Sequence, residues 1–238
     1  SEVDINKKTI NSHSEEYVKE IRRLQEKYKN KLDISFGVEF DWFEFNKNWI
    51  KQEVKKTKYD FTLGSVHYIP HNNKFQSLFF GKDGHERVVS FIKQLGGNKE
   101  MVRLYYDQIR SMVKSKLFDC VAHLDLVNMN NPNSVIFSED SDWYKKEVLD
   151  TLDLIKKNKM AIEINTRGFK RNINQQFPSL WILKEARKRD IPLTIGTDAH
   201  RADELDFNLA IAIKLVKEAG YDNIVRFKDR KMINIMLE

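Results

Sequence analysis

The sequence predicts an α/β fold assembled from parallel β/α units. Short apolar runs alternate with longer stretches of helical amphipathic spacing, and polar residues recur where the apolar runs end. Breakers are scarce: four prolines and nine glycines in 238 residues, with no flexible linker and no internal repeat. That pattern points to a single domain over residues 1–238, its strands parallel and its sheet closed or open.

Residues 14–30 place Tyr17, Val18, Ile21, Leu24 and Tyr28 on one helical stripe, and Ser12 with Glu15 offers a capping box at its start. "LDISFGVEF" (32–40) reads as a strand, 46–57 as a helix, and "YDFTLGSVHYI" (59–69) as a second strand. The stretch 70–82 reads as a long connection or flap. Helical patterns near 84–96 and 98–116 precede the strand "FDCVAHLDL" (118–126). A helix near 140–158 leads to the strand "MAIEIN" (160–165), and one near 179–190 leads to "PLTIG" (192–196). A last helix, with Leu205, Leu209, Ala212, Ile213 and Val216 on one stripe, runs toward "NIVRF" (223–227).

Composition narrows the function classes. Hydrophobic content of 41% with 32% charged residues describes a soluble globular chain. No uncharged apolar run reaches the roughly 18–20 residues of a membrane helix, and "SEVDINKK" is no signal peptide. The lone Cys120 forbids an internal disulfide and a Cys-rich zinc site; it sits in apolar "FDCVAHL" as a core thiol and indicates the cytoplasm. A net charge of +6 comes from lysines and arginines scattered among acids, as in "KEIRRLQEKYKNK". Weak attraction to anionic small molecules follows; a nucleic-acid partner does not.

The chemistry gathers at strand ends. Glu39 follows "ISFGV", His67 follows "TLGSV", His123 follows "DCVA", Glu163 and Asn165 close "MAIEIN", and Asp198 with His200 follows "TIG". Parallel β/α architectures bring strand C-termini to one face, where ligands collect. Extended geometry persisting past Gly196 would point Asp198 and His200 the same way. Three histidines with two carboxylates suit Zn²⁺, Mn²⁺ or Fe²⁺, and water activated by such ions is a nucleophile at neutral pH. Each residue also has a plainer role: a packed histidine, a surface ion pair for Glu39, a helix cap for Asp198. Five occurrences at equivalent strand ends favour one shared site. His13 reads as a surface residue; His71 and His85, flanking 70–82, are placed to reach an active site or, on the plainer reading, to face water.

The segments "GVEFDW" (37–42), "GSVHYI" (64–69), "AHLDLV" (122–127), "EINTRGFKR" (163–171) and "GTDAHR" (196–201) together resemble the polymerase-and-histidinol-phosphatase (PHP) superfamily, specifically its histidinol-phosphate phosphatases. The resemblance implies a distorted (β/α)7 barrel around two or three divalent ions. It makes Glu39 a bridging ligand, His67 and His123 ligands of one ion, Asp198 of another and His200 of a third. Asp198 or His200 would also assist proton transfer. Lys170 matches the phosphate-contacting basic position, with Arg167 and Arg171 beside it. The family opens with a His-x-His motif that this chain lacks, so the expected barrel is without its N-terminal β/α portion. The implied reaction is hydrolysis of L-histidinol phosphate. Another small phosphoester or a nucleic-acid end, or a metal-poor binding protein without turnover, are the alternatives.

Overall fold

The computed structural model describes residues 7–237 except 73, 80–83 and 172. The side chains of residues 7–14, 84 and 85, and so those of His13 and His85, also lie outside the described set. Helix α1 (Lys7–Tyr28) leads to β1 (Gly37–Asp41), α2 (Lys47–Thr57) and β2 (Phe61–Ser65). A small hairpin follows, β3 (Tyr68–His71) and β4 (Lys74–Ser77), then α3 (Gly84–Leu95), α4 (Asn98–Ser115) and a two-residue strand, β5 (Cys120–Val121). The remainder is α5 (Asp142–Lys157), β6 (Ala161–Asn165), α6 (Leu180–Lys188), β7 (Leu193–Gly196), α7 (Leu209–Glu218) and a hairpin of β8 (Asn223–Lys228) with β9 (Lys231–Met236).

Five strands pair in the order β1-β2-β5-β6-β7, every pair parallel. Register decides which residues share a face, because side chains alternate along a strand and cross-strand partners point together. Glu39 pairs with Leu63, Asp41 with Ser65, Leu63 with Cys120, Cys120 with Ala161, and Asn165 with Gly196. One face therefore carries Glu39, Asp41, Ser65, Glu163 and Asn165 toward its C-terminal end. Thr62, Gly64, Val121, Ile162 and Ile164 look the other way.

That second face takes the helices. Tyr105, Ile109, Met112 and Val113 of α4 and Val148, Leu152 and Ile155 of α5 are fully buried with Val121, Ile162 and Ile164. Burial of each such aliphatic side chain stabilises the fold by about 1.5–3 kcal/mol. Gly64 is required by this close approach, since a Cβ there would overlap Met112 and the Phe118 ring. On the first face a smaller cluster of Cys120, Ala161, Val225 and Phe227 forms, with Phe61 stacked on Phe227 at 5.9 Å between ring centroids. The β8–β9 hairpin thus covers the N-terminal half of that face, and the carboxylate-bearing C-terminal half stays open.

The alternation of strands and helices matches the expected parallel α/β class. The details differ for local reasons. The five-stranded sheet has β1 and β7 as its edges among the described residues, so no closed barrel forms there. The expected 59–69 strand breaks at Val66–His67, and part of the expected 70–82 connection is β4, paired antiparallel with β3. Helix α1 begins at Lys7, so Ser12 and Glu15 lie within it instead of capping it. Leu205 precedes α7 and is 70% exposed, off the buried stripe of Ala212 and Val216. The 223–227 strand belongs to an antiparallel hairpin, not to the parallel sheet. Among the described residues no helix is long and apolar enough to cross a membrane.

Candidate metal centre

Glu39 is the third residue of β1, and its side chain rises from the open face of the sheet toward solvent. His67 lies two residues beyond β2, where the chain turns into the β3–β4 hairpin. His123 lies two residues past β5. There the backbone leaves the sheet: Ala122 N donates to Gly64 O, His123 adopts φ +29°, and a short 3-10 turn begins at Leu126. A positive φ is uncommon for a residue with a Cβ. The three side chains converge. His67 Nε2 is 3.1 Å from His123 Nε2, which is 3.3 Å from Glu39 Oε1, and the third edge, His67 Nε2 to Glu39 Oε1, is 3.5 Å.

This triangle has the size a metal demands. Four donors placed tetrahedrally at the roughly 2.0–2.1 Å of Zn–N and Zn–O bonds stand about 3.3–3.4 Å apart. The donor chemistry agrees, since imidazole nitrogens with a carboxylate suit first-row divalent ions. His67 is prepared for the task by Asp41, whose Oδ1 is 2.5 Å from His67 Nδ1. A proton held on Nδ1 leaves the Nε2 lone pair facing the cluster.

The field at the cluster is negative. Burial opposes charge on His123, yet the hydrogen bond and charge of Glu39, with the charges of Glu163 and Asp198, lift it to about 9. Desolvation likewise works to raise Glu39, but His123 and His67 outweigh it and bring that carboxyl down to about 2. A site that retains a proton on a fully enclosed imidazole is one that attracts a cation.

The cluster opens into a cleft of about 410 Å³, a volume ordinary for small-ligand sites. Asp198, His200, Arg167 and Arg171 line it together with the three donors. Asp198 has φ +51°, because β7 stops at Gly196 and the chain turns. Extended geometry therefore does not bring Asp198 and His200 together; a turn does, with His200 Nδ1 2.8 Å from the Asp198 carbonyl. His200 sits at the rim, its side chain 65% exposed, and neither residue belongs to the tight three-donor group.

The basic residues separate. Arg167 donates to Glu204 Oε2 and to the Asp198 carbonyl. Lys170 pairs with Glu204 Oε1 at 2.7 Å, lies 4.3 Å over the Phe207 ring, and is not among the residues lining the cleft. Arg171 lines the cleft over Phe79 and has no carboxylate partner among the described residues. Asp41, Ser65 and Phe79 also line the cleft, although sequence reasoning did not select them. Asp41 was accessible in principle: it is two residues from Glu39 on one strand and so shares its face.

Comparison with known proteins places these features in context. Residues 10–167 match the family model described as "PHP domain". Over 218 residues the chain is 29% identical to the "Probable histidinol-phosphatase" of Deinococcus radiodurans, covering 91% of this chain and 76% of that protein. It is 28% identical to the "Histidinol-phosphatase" of Lactococcus lactis subsp. lactis, again covering 91% and 76%. A crystal structure of histidinol phosphate phosphatase from that organism, complexed with zinc, L-histidinol and phosphate, superposes with a TM-score of 0.70 at 23% identity. The match covers 92% of this chain and 78% of that one, a likeness of fold.

Proposed function

This chain belongs to the PHP domain family, and on that premise we propose that it is a metal-dependent phosphomonoesterase converting L-histidinol phosphate and water to L-histidinol and phosphate. The supporting observation is the Glu39–His67–His123 cluster, set in a small cleft that also holds Arg167 and Arg171. The substrate rests on the relatives named histidinol-phosphatase. Residues 1–238 act as one domain in this reading, in the cytoplasm, where the buried and unpaired Cys120 is at home.

Two or three ions of Mn, Zn or Fe belong to the site. Glu39, His67 and His123 would hold the first of them, and Asp198 and His200, which line the same cleft, would extend the donor set. When bound, such ions supply Lewis acidity, lowering the pKa of a water and neutralising phosphoryl oxygens.

The chain's own groups do the rest. Asp41 fixes the ring of His67. Arg171 presents a guanidinium fork to the phosphate, a geometry that matches two phosphoryl oxygens at once. Arg167 adds a second cation while Glu204 holds it against the Asp198 turn. His200 gives Nδ1–H to the Asp198 carbonyl. Its Nε2 lone pair is then free for ligation; only with a second proton, taken up at Nε2, would the ring serve the departing alkoxide as an acid. The small, partly enclosed volume favours a single phosphorylated metabolite over a polymer.

Phosphate release from L-histidinol phosphate tests the proposal, with metal-stripped chain, metal-restored chain and His67→Ala compared. Turnover that needs metal and is lost in His67→Ala is expected. Equal rates on unrelated phosphomonoesters would defeat the substrate assignment, and metal-independent turnover would defeat the site.

A further inference from the structure

Glu163 has no part in the mechanism above, yet it lies directly beneath the cluster. It is the third residue of β6, on the same face as Glu39, and only 6% exposed. Its Oε2 accepts two hydrogen bonds, from the backbone N–H of His123 at 3.1 Å and from Asn165 Nδ2 at 3.1 Å. His123 is the donor whose backbone has φ +29°. Asn165, 2% exposed, accepts on its Oδ1 a hydrogen bond from the backbone N–H of Arg167 at 2.8 Å. One buried carboxylate therefore ties the turn that carries a histidine of the cluster to the turn that carries an arginine of the cleft.

Gly196 makes the arrangement possible. It sits on β7 opposite Asn165, and a Cβ there would overlap Glu163 Oε1 and press on its carboxyl carbon. The glycine is thus explained by space for this carboxylate. Glu163 itself is not among the residues lining the cleft, nor in the tight donor group, so it acts through its neighbours.

We propose that Glu163 is a positioning residue: accepting from the His123 amide, it holds that residue's left-handed backbone so that Nε2 meets Glu39 and His67, with Gly196 as the space that admits it. The proposal rests on the reading of His123 as a metal-site donor. What the role requires is a hydrogen-bond acceptor at this point, not a negative charge.

The full chain, stripped of metal and titrated with Zn²⁺ against a competing chelator, separates these. Glu163→Ala and Gly196→Ala, the second leaving every cluster residue intact, are expected to weaken Zn²⁺ binding about 10- to 100-fold. Glu163→Gln, which keeps the acceptor, restores most of the loss. In metal-free protein the His123 amide proton resonance moves upfield in Glu163→Ala and Gly196→Ala and stays near its wild-type position in Glu163→Gln. Two results would overturn the role. One is Glu163→Gln failing as badly as Glu163→Ala. The other is wild-type Zn²⁺ affinity in both Glu163→Ala and Gly196→Ala while His123→Ala loses it. Wild-type affinity in His123→Ala would instead bring down the metal-centre reading, and the positioning role with it.

Discussion

Removing the charge from Asp41 isolates how much the orientation of His67 contributes. Asp41 Oδ1 stands 2.5 Å from His67 Nδ1, and the Asp41 side chain is 43% exposed against 19% for His67. Carboxylates that orient ligating histidines are worth about 10- to 100-fold in metal affinity, or roughly 1.4–2.8 kcal/mol. Solvent reaches Asp41, so Asp41→Asn belongs at the lower end, about 10-fold. Its amide oxygen can still accept from Nδ1–H, and only charge is lost. Asp41→Ala removes the acceptor as well and belongs toward 100-fold. Neither disturbs the Asn46 Nδ2 bond at 3.0 Å, which goes to the Asp41 backbone carbonyl. Global stability should therefore move by no more than about 0.5 kcal/mol. Competition titration with Zn²⁺ and a thermal melt of the same samples provide both numbers. Unchanged affinity in Asp41→Ala would refute the orientation argument, as would an affinity loss matched by a large fall in Tm.

Other outcomes follow from separate parts of the fold. His67→Ala should abolish tight binding of the first ion, whereas His200→Ala, at an exposed rim position, should retain that ion and lose turnover. Metal content measured beside rate distinguishes the two. Ile109→Ala opens a cavity under α4, where the side chain is fully buried. It should cost about 2–4 kcal/mol and lower Tm by roughly 5–15 °C. Equal melting of variant and wild type would contradict the packing. Burial raises Tyr106 and Tyr144 well above the usual phenol range. The folded chain keeps these protons where the unfolded chain loses them. Stability should then fall as pH rises past about 10, by up to about 1.4 kcal/mol per pH unit for each group. Tyrosinate absorbance followed alongside circular dichroism checks this; all eight tyrosines ionising near pH 10 with the fold intact would count against it.

The sequence made the strand-end logic readable because it depends on two simple periods. Apolar runs of about five residues mark β1, β2, β6 and β7, and a polar residue at each C-terminal end stands out against them. Glu39, His67 and His123 were found in this way, and they are the three that meet. What stayed hidden depends on contacts between distant segments. The break at Val66–His67 falls on neither a glycine nor a proline, and the β3–β4 pairing begins directly after it. The turn at His123 is held by Glu163, forty residues away, and by a carbonyl on β2 that takes the Ala122 amide. Lys170 and Arg167 look alike in sequence. Only the placement of Glu204 shows that both are already paired, while Arg171 is left to the cleft.

The central claim is that Glu39, His67 and His123 hold a metal ion. Anomalous scattering at the zinc edge, from crystals of this chain grown with Zn²⁺, addresses it most directly. The account predicts a strong peak about 2.0–2.2 Å from Glu39 Oε1, His67 Nε2 and His123 Nε2. No peak between these atoms at full zinc loading, or a peak only elsewhere on the chain, would contradict it.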